Sequence, residues 1–93
     1  IGISRDMDEE PERVLLRFVV GQLPYLKSRP LHPSQTIVQE GETFLLELKL
    51  IPNYELRSKI LGFGSDVEVL EPLRFREEIK LRLNKASQKY SKE

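Results

Sequence analysis

Ninety-three residues, 39% of them hydrophobic and 32% charged, make one core and have no room for a second. Fifteen Lys and Arg balance fifteen Asp and Glu, which argues against a dedicated phosphate binder, and the lack of any cysteine excludes disulfide frameworks, thiolate metal sites and cysteine nucleophiles. His32 is the only histidine, so no His pair can hold zinc, and no apolar run nears the roughly 18 residues that cross a bilayer.

The chain starts at Ile1, which reads as part of a longer polypeptide. Residues 1–13 set Arg5 and Arg13 against Asp6, Asp8, Glu9, Glu10 and Glu12, a net charge of −3. Carboxylates stand where a signal peptide would need its apolar segment. Residues 1–13 are therefore expected to be an acidic leader or linker, residues 14–93 the domain proper, and the location cytoplasmic.

Residues 14–20 are β-branched and apolar on both faces, the pattern of a central strand. Residues 22–28 suit a short helix, with Pro24 tolerated in its first turn. Arg29 precedes Pro30 and is pushed out of helical geometry. With two prolines, residues 29–35 form a shaped loop. Residues 35–40 alternate weakly and residues 43–51 strictly, with Phe44, Leu46, Leu48 and Leu50 on one face, so a hairpin turning at Gly41 is expected. Asn53 is a helix cap for residues 54–61, and Gly62 or Gly64 takes a left-handed conformation at its end. Residues 66–70 form another strand. Pro72 is placed in the first turn of a long helix with Phe75, Ile79, Leu83, Ala86 and Tyr90 along one core stripe. Leu81 lies on the other side of that helix.

The order of strand, helix, strand, strand, helix, strand, helix predicts an α+β fold: a ferredoxin-like βαββαβ sandwich with an additional C-terminal helix. The first and third strands are the longest and most apolar, hence central. Gln39, Glu40 and Glu68 suit edges, where charge discourages edge-to-edge pairing. Charge is uneven along the chain: residues 72–93 carry seven basic groups against three acidic ones, net +4.

The blocks Leu31-His32-Pro33-Ser34-Gln35 and Glu40-Gly41-Glu42, and the run from Ile60 through Gly62-Phe63-Gly64, Asp66-Val67-Glu68-Val69-Leu70-Glu71-Pro72 to Leu73-Arg74-Phe75-Arg76-Glu77-Glu78-Ile79, carry a resemblance. Together they resemble the C-terminal extension, or WCX domain, of WYL-domain transcriptional regulators. The likeness covers residues 14–90. It implies a bacterial regulator with an N-terminal winged helix-turn-helix and a central WYL barrel in the same chain. It also implies a homodimer, an effector that is a nucleotide or single-stranded nucleic acid, and a non-catalytic role for this module in dimerisation and effector response. Leu31 stands where many relatives carry Trp before the His.

The candidate ligand-binding residues are Arg29, His32 and Gln35 in the loop and Arg74 and Arg76 on the last helix. Arg and His can contact phosphate, and Gln can bond a base edge. For His32 and Gln35 the competing role, satisfying the backbone of a proline-rich loop, is preferred. Phe18 and Phe44 sit where an RNA-binding sandwich would place stacking aromatics, but their apolar faces assign them to the core. Gly62-Phe63-Gly64 lacks the further Gly or Lys of a phosphate loop. The five serines Ser34, Ser58, Ser65, Ser87 and Ser91 share one potential base, His32, and none has nucleophile-elbow spacing, so no enzyme, cofactor or metal is expected. Leu15, Val19, Leu45 and Ile51 on the second sheet face, with Leu81, form the expected interface. The alternative is an ACT-like domain, a small-molecule-binding regulatory module. No membrane association is expected.

Overall fold

The computed structural model describes residues 10–91. Strand β1 (Glu12–Val19) runs through a single 3-10 turn (Val20–Gln22) into helix α1 (Leu23–Ser28). A hairpin of β2 (Thr36–Glu40) and β3 (Thr43–Leu50) follows, then α2 (Tyr54–Gly62), a 3-10 turn (Gly64–Asp66), β4 (Val67–Glu71) and α3 (Leu73–Tyr90). Most of the expected acidic leader lies outside the described residues. β1 begins at Glu12, two residues before the strand read from the sequence.

The four strands form one antiparallel sheet in the order β2-β3-β1-β4. The first and third strands are the inner pair, as their apolar content requires, and the chargeable second and fourth are the edges. Register follows the alternation. Val14, Leu16 and Phe18 lie opposite Leu48, Leu46 and Phe44, and Leu16 lies opposite Val69 on the other side. All seven are buried, and Leu26, Leu56, Ile60, Phe75 and Ile79 from the three helices close over them. All three helices therefore cover the same face of the sheet, and each such side chain contributes about 1.5–3 kcal/mol by leaving water.

Phe18 and Phe44 are core residues, stacked with ring centroids 5.4 Å apart, and Phe63 meets Phe18 edge-on at 5.1 Å. The hairpin turns at Gly41, whose φ of +68° costs a side-chain-bearing residue strain. The Asn53 side chain accepts the Leu56 N–H at 2.9 Å and caps α2. The left-handed residue past that helix is Gly64, at φ +61°, and not Gly62.

Helix α3 departs from expectation twice. Pro72 sits just outside it in extended geometry (φ −76°, ψ 159°), following a cis Glu71–Pro72 peptide bond, and not in its first turn. The predicted core stripe is buried only at Phe75 and Ile79. Leu83 is 43% exposed and Tyr90 82%, and Ala86 is exposed too. Length explains this: the 18-residue helix is about 27 Å long, whereas the 5-residue strand it lies on covers about 17 Å. The helix outruns the sheet.

Candidate functional site

The loop after α1 is held by its own polar side chains. Arg29 ends α1, its N–H donating to the Tyr25 carbonyl at 2.8 Å. Gln35 spans the loop: its Oε1 accepts the Leu31 N–H at 2.8 Å and its Nε2 donates to the Leu26 carbonyl at 3.0 Å. His32 Nδ1 accepts the Ser34 N–H at 3.1 Å and lies 2.7 Å from Ser34 Oγ. That oxygen accepts the Lys49 N–H at 2.8 Å, pairing β3 just beyond the point where β2 begins. Two prolines break the regular backbone pairing here, and these side chains accept the Leu31, Ser34 and Lys49 N–H groups while Gln35 donates to the Leu26 carbonyl.

With His32 and Gln35 so engaged, Arg29 points the site elsewhere. It borders an open cleft of about 600 Å³ with Tyr25, Leu31, Lys59 and Phe63, within the range of small-molecule sites. Tyr25 meets Phe63 edge-on at 6.1 Å and is half exposed. Gln22, also on the rim, donates to Asp66 at 2.8 Å and ties the first 3-10 turn to the second. Lys59 has one ion-pair partner, Glu55, at 3.5 Å on the open surface. Arg29 has none among the described residues. Two cations and an exposed ring thus share one concave surface, an arrangement suited to an anion that also carries a flat apolar part. Leu31 forms part of the wall and packs against the core, in keeping with the aliphatic residue at that position.

Arg74 and Arg76 do not join this cleft. Arg74 pairs with Glu12 at 2.8 Å, tying the start of α3 to the start of β1. Arg76 reaches the edge of β4, donating to Glu68 at 2.9 Å and to the Val69 carbonyl at 2.8 Å. It thereby covers part of an otherwise open strand edge. A second, smaller groove of about 220 Å³ beside Arg76 lies across the end of α2 from the Arg29 cleft, bordered by Leu61 and Gly64. Glu78 pairs with Arg57 and, at 3.8 Å, with Arg82.

The Arg76 hydrogen bond, with the charge of nearby Arg17, holds the Glu68 carboxyl below its ordinary value against the opposing effect of partial burial. A carboxyl depressed on folding stabilises the fold fully above its unfolded value, about 4.3, and stops doing so as pH falls through the folded value. Glu68→Gln is therefore expected to narrow its stability gap to the wild type as denaturation is followed from pH 6 to pH 3. Both side chains are about half exposed, so the change is small. Parallel curves would contradict the pairing.

On the open sheet face Leu15, Leu45 and Val19 share one side, with Val38 of the edge strand beside Leu45. Charged pairs interrupt them: Arg13 bonds Glu47 and Glu71, each at 2.8 Å, and Arg17 bonds Glu68 at 2.9 Å. Ile51 lies just past β3 and is exposed. Leu81 cannot extend this surface, because α3 packs on the opposite face of the sheet and Leu81 points away from it.

Tyr25 and Lys59 escaped the sequence reading. Lys59 is thirty positions from Arg29, and nothing local links them. Tyr25 was legible in principle, since it stands four residues before Arg29, one helical turn away.

The family model described as the WCX domain matches residues 10–87, nearly the whole described chain. The chain belongs to the WCX domain family. WCX domains are regulatory C-terminal domains of transcription regulators and are not a known catalytic family. No curated protein matches the chain. No helix among the described residues is long and apolar enough to cross a membrane.

Proposed function

We propose that this WCX domain is the effector-responsive, dimerising end of a bacterial transcription regulator, and that its effector is an anionic nucleotide or short single-stranded oligonucleotide held in the Arg29 cleft. The convergence of Arg29 and Lys59 on one cleft beside Tyr25 carries this reading. Phosphate accepts from the guanidinium and ammonium groups, and a base stacks on an exposed ring. His32 and Gln35 hold the loop that presents Arg29, while Arg74 and Arg76 hold α3 on the sheet. In the parent chain a WYL barrel and a helix-turn-helix precede this module. An effector bound more tightly in one arrangement of the dimer shifts the population of DNA-reading heads toward it. The all-antiparallel order β2-β3-β1-β4, with three helices on one face, supports reading the fold as a ferredoxin-like sandwich with an appended helix.

Arg29→Ala combined with Lys59→Ala tests the cleft. Each charged hydrogen bond lost is worth about 1.5–3 kcal/mol, so affinity for a short single-stranded oligonucleotide falls at least about tenfold. Both side chains project into an open cleft, so the melting temperature of the free protein stays the same. Thermal shifts with oligonucleotides and with amino acids provide the measurement. Stabilisation by a neutral amino acid, insensitive to salt, would favour an ACT-like sensor and sink the proposal.

A further inference from the structure

Beyond Ile79 every described residue of α3 is exposed, yet its apolar stripe continues. Leu83, Ala86 and Tyr90 follow Phe75 and Ile79 within about 80° of arc, by the 3.6-residue repeat. Arg82 and Lys89 lie along one flank of that stripe, Lys80 along the other, and Lys85 farther round. No carboxylate occurs between Glu78 and Ser91. Glu78, the one acid within reach of Arg82, is already bonded to Arg57. At the base of this arm the 220 Å³ groove opens between α2, β4 and α3, walled by Ile60, Leu61, Val67, Ile79 and Leu83.

We infer that the far half of α3 is a docking surface for an acidic amphipathic helix of another protein, with one apolar side chain seated in the groove at Leu83. Cations flanking both sides of an apolar seam match a helix that carries carboxylates on both flanks of its own seam, as in paired helices with charged borders. A second copy of this arm would bring like charges together. A membrane surface calls for a broader, bulkier apolar face than Leu83, Ala86 and Tyr90 provide. Nucleic acid has no use for the apolar groove, and a phosphate backbone tracking Arg82, Lys85 and Lys89 would leave Lys80 on the far flank of the seam.

The 93-residue chain is titrated by fluorescence anisotropy with a labelled 18-residue peptide. Its leucines are spaced three and four apart and are bordered by glutamates. Binding is expected to weaken at least about tenfold in Leu83→Asp, and by a similar factor in Lys80→Glu with Lys89→Glu. All three positions are exposed, so thermal melting of these variants matches the wild type and separates docking from folding. Equal affinity for a control peptide with its leucines replaced by serine would overturn the inference, as would wild-type binding by Leu83→Asp. Tighter binding to phosphatidylglycerol vesicles, retained in Leu83→Asp, would overturn it too, as would oligonucleotide binding that survives Arg29→Ala with Lys59→Ala and is lost in Lys80→Glu with Lys89→Glu. These outcomes leave the Arg29 cleft untouched, since it lies across the end of α2.

Discussion

Phe18→Ala is expected to lower the melting temperature by more than about 12 °C and to leave a large unfolded fraction at 37 °C. Phe18 is fully buried at the centre of β1, stacked on Phe44 and met edge-on by Phe63. Deleting a buried Phe ring costs about 3–5 kcal/mol, the transfer loss plus an unfilled cavity. A domain of this size has a total stability of roughly 4–12 kcal/mol, so one substitution removes a large share of it. Each kcal/mol moves the midpoint by about 4–8 °C at this length. Phe18→Leu keeps most of the volume and is expected to cost much less. Circular dichroism melts of the three proteins test the ranking. A Phe18→Ala midpoint within a few degrees of the wild type would mean that the ring serves a surface and not the core.

Gln35→Leu is expected to destabilise by about 2 kcal/mol, a fall of roughly 8–16 °C in melting temperature, through loss of the bonds to Leu31 and Leu26. Leucine has a similar volume but leaves a backbone donor and a backbone acceptor without partners in a half-buried position. Those two bonds fasten the residues on either side of Arg29. The variant therefore loses stability and, with it, the placement of Arg29 on the cleft. Arg29→Ala should do the reverse: affinity drops and the melting temperature does not. Comparing the two separates the side chain that frames the loop from the one that meets the ligand. If Gln35→Leu melted like the wild type yet lost binding, Gln35 would belong among the ligand contacts.

Both predictions depend on residues whose roles were unequally legible. Alternation alone assigns Phe18 to the core, because residues two apart on a strand share a face whatever the rest of the chain does. The framing role of Gln35 is also within reach, since two prolines within seven residues leave loop backbone groups without regular partners. The more distant partners are not: the Leu26 carbonyl that Gln35 reaches and the Lys49 N–H that Ser34 accepts lie at distances along the chain that no local pattern specifies. Arg76 illustrates the same limit. The charge run and the resemblance made it a ligand candidate, and only the packing of α3 against the edge of β4 revealed Glu68 and the Val69 carbonyl within its reach.

The neutral total charge of the chain acquires a different meaning in three dimensions. Much of the balance consists of pairs: Arg13 with Glu47 and Glu71, Arg17 and Arg76 with Glu68, and Arg74 with Glu12. Arg29 stands outside these pairs among the described residues, while Lys59 has only an exposed neighbour in Glu55. By itself the sequence determined the elements, their order, the faces that are buried, the inner strands and the family resemblance, because periodicity, turn chemistry and capping act over a few residues. Only the tertiary structure decided which cations are already held by carboxylates, that Arg29 and Lys59 share one cleft, and where the stripe of α3 runs out of sheet. Those outcomes follow from the relative lengths and packing of elements distant in sequence, which no local spacing encodes.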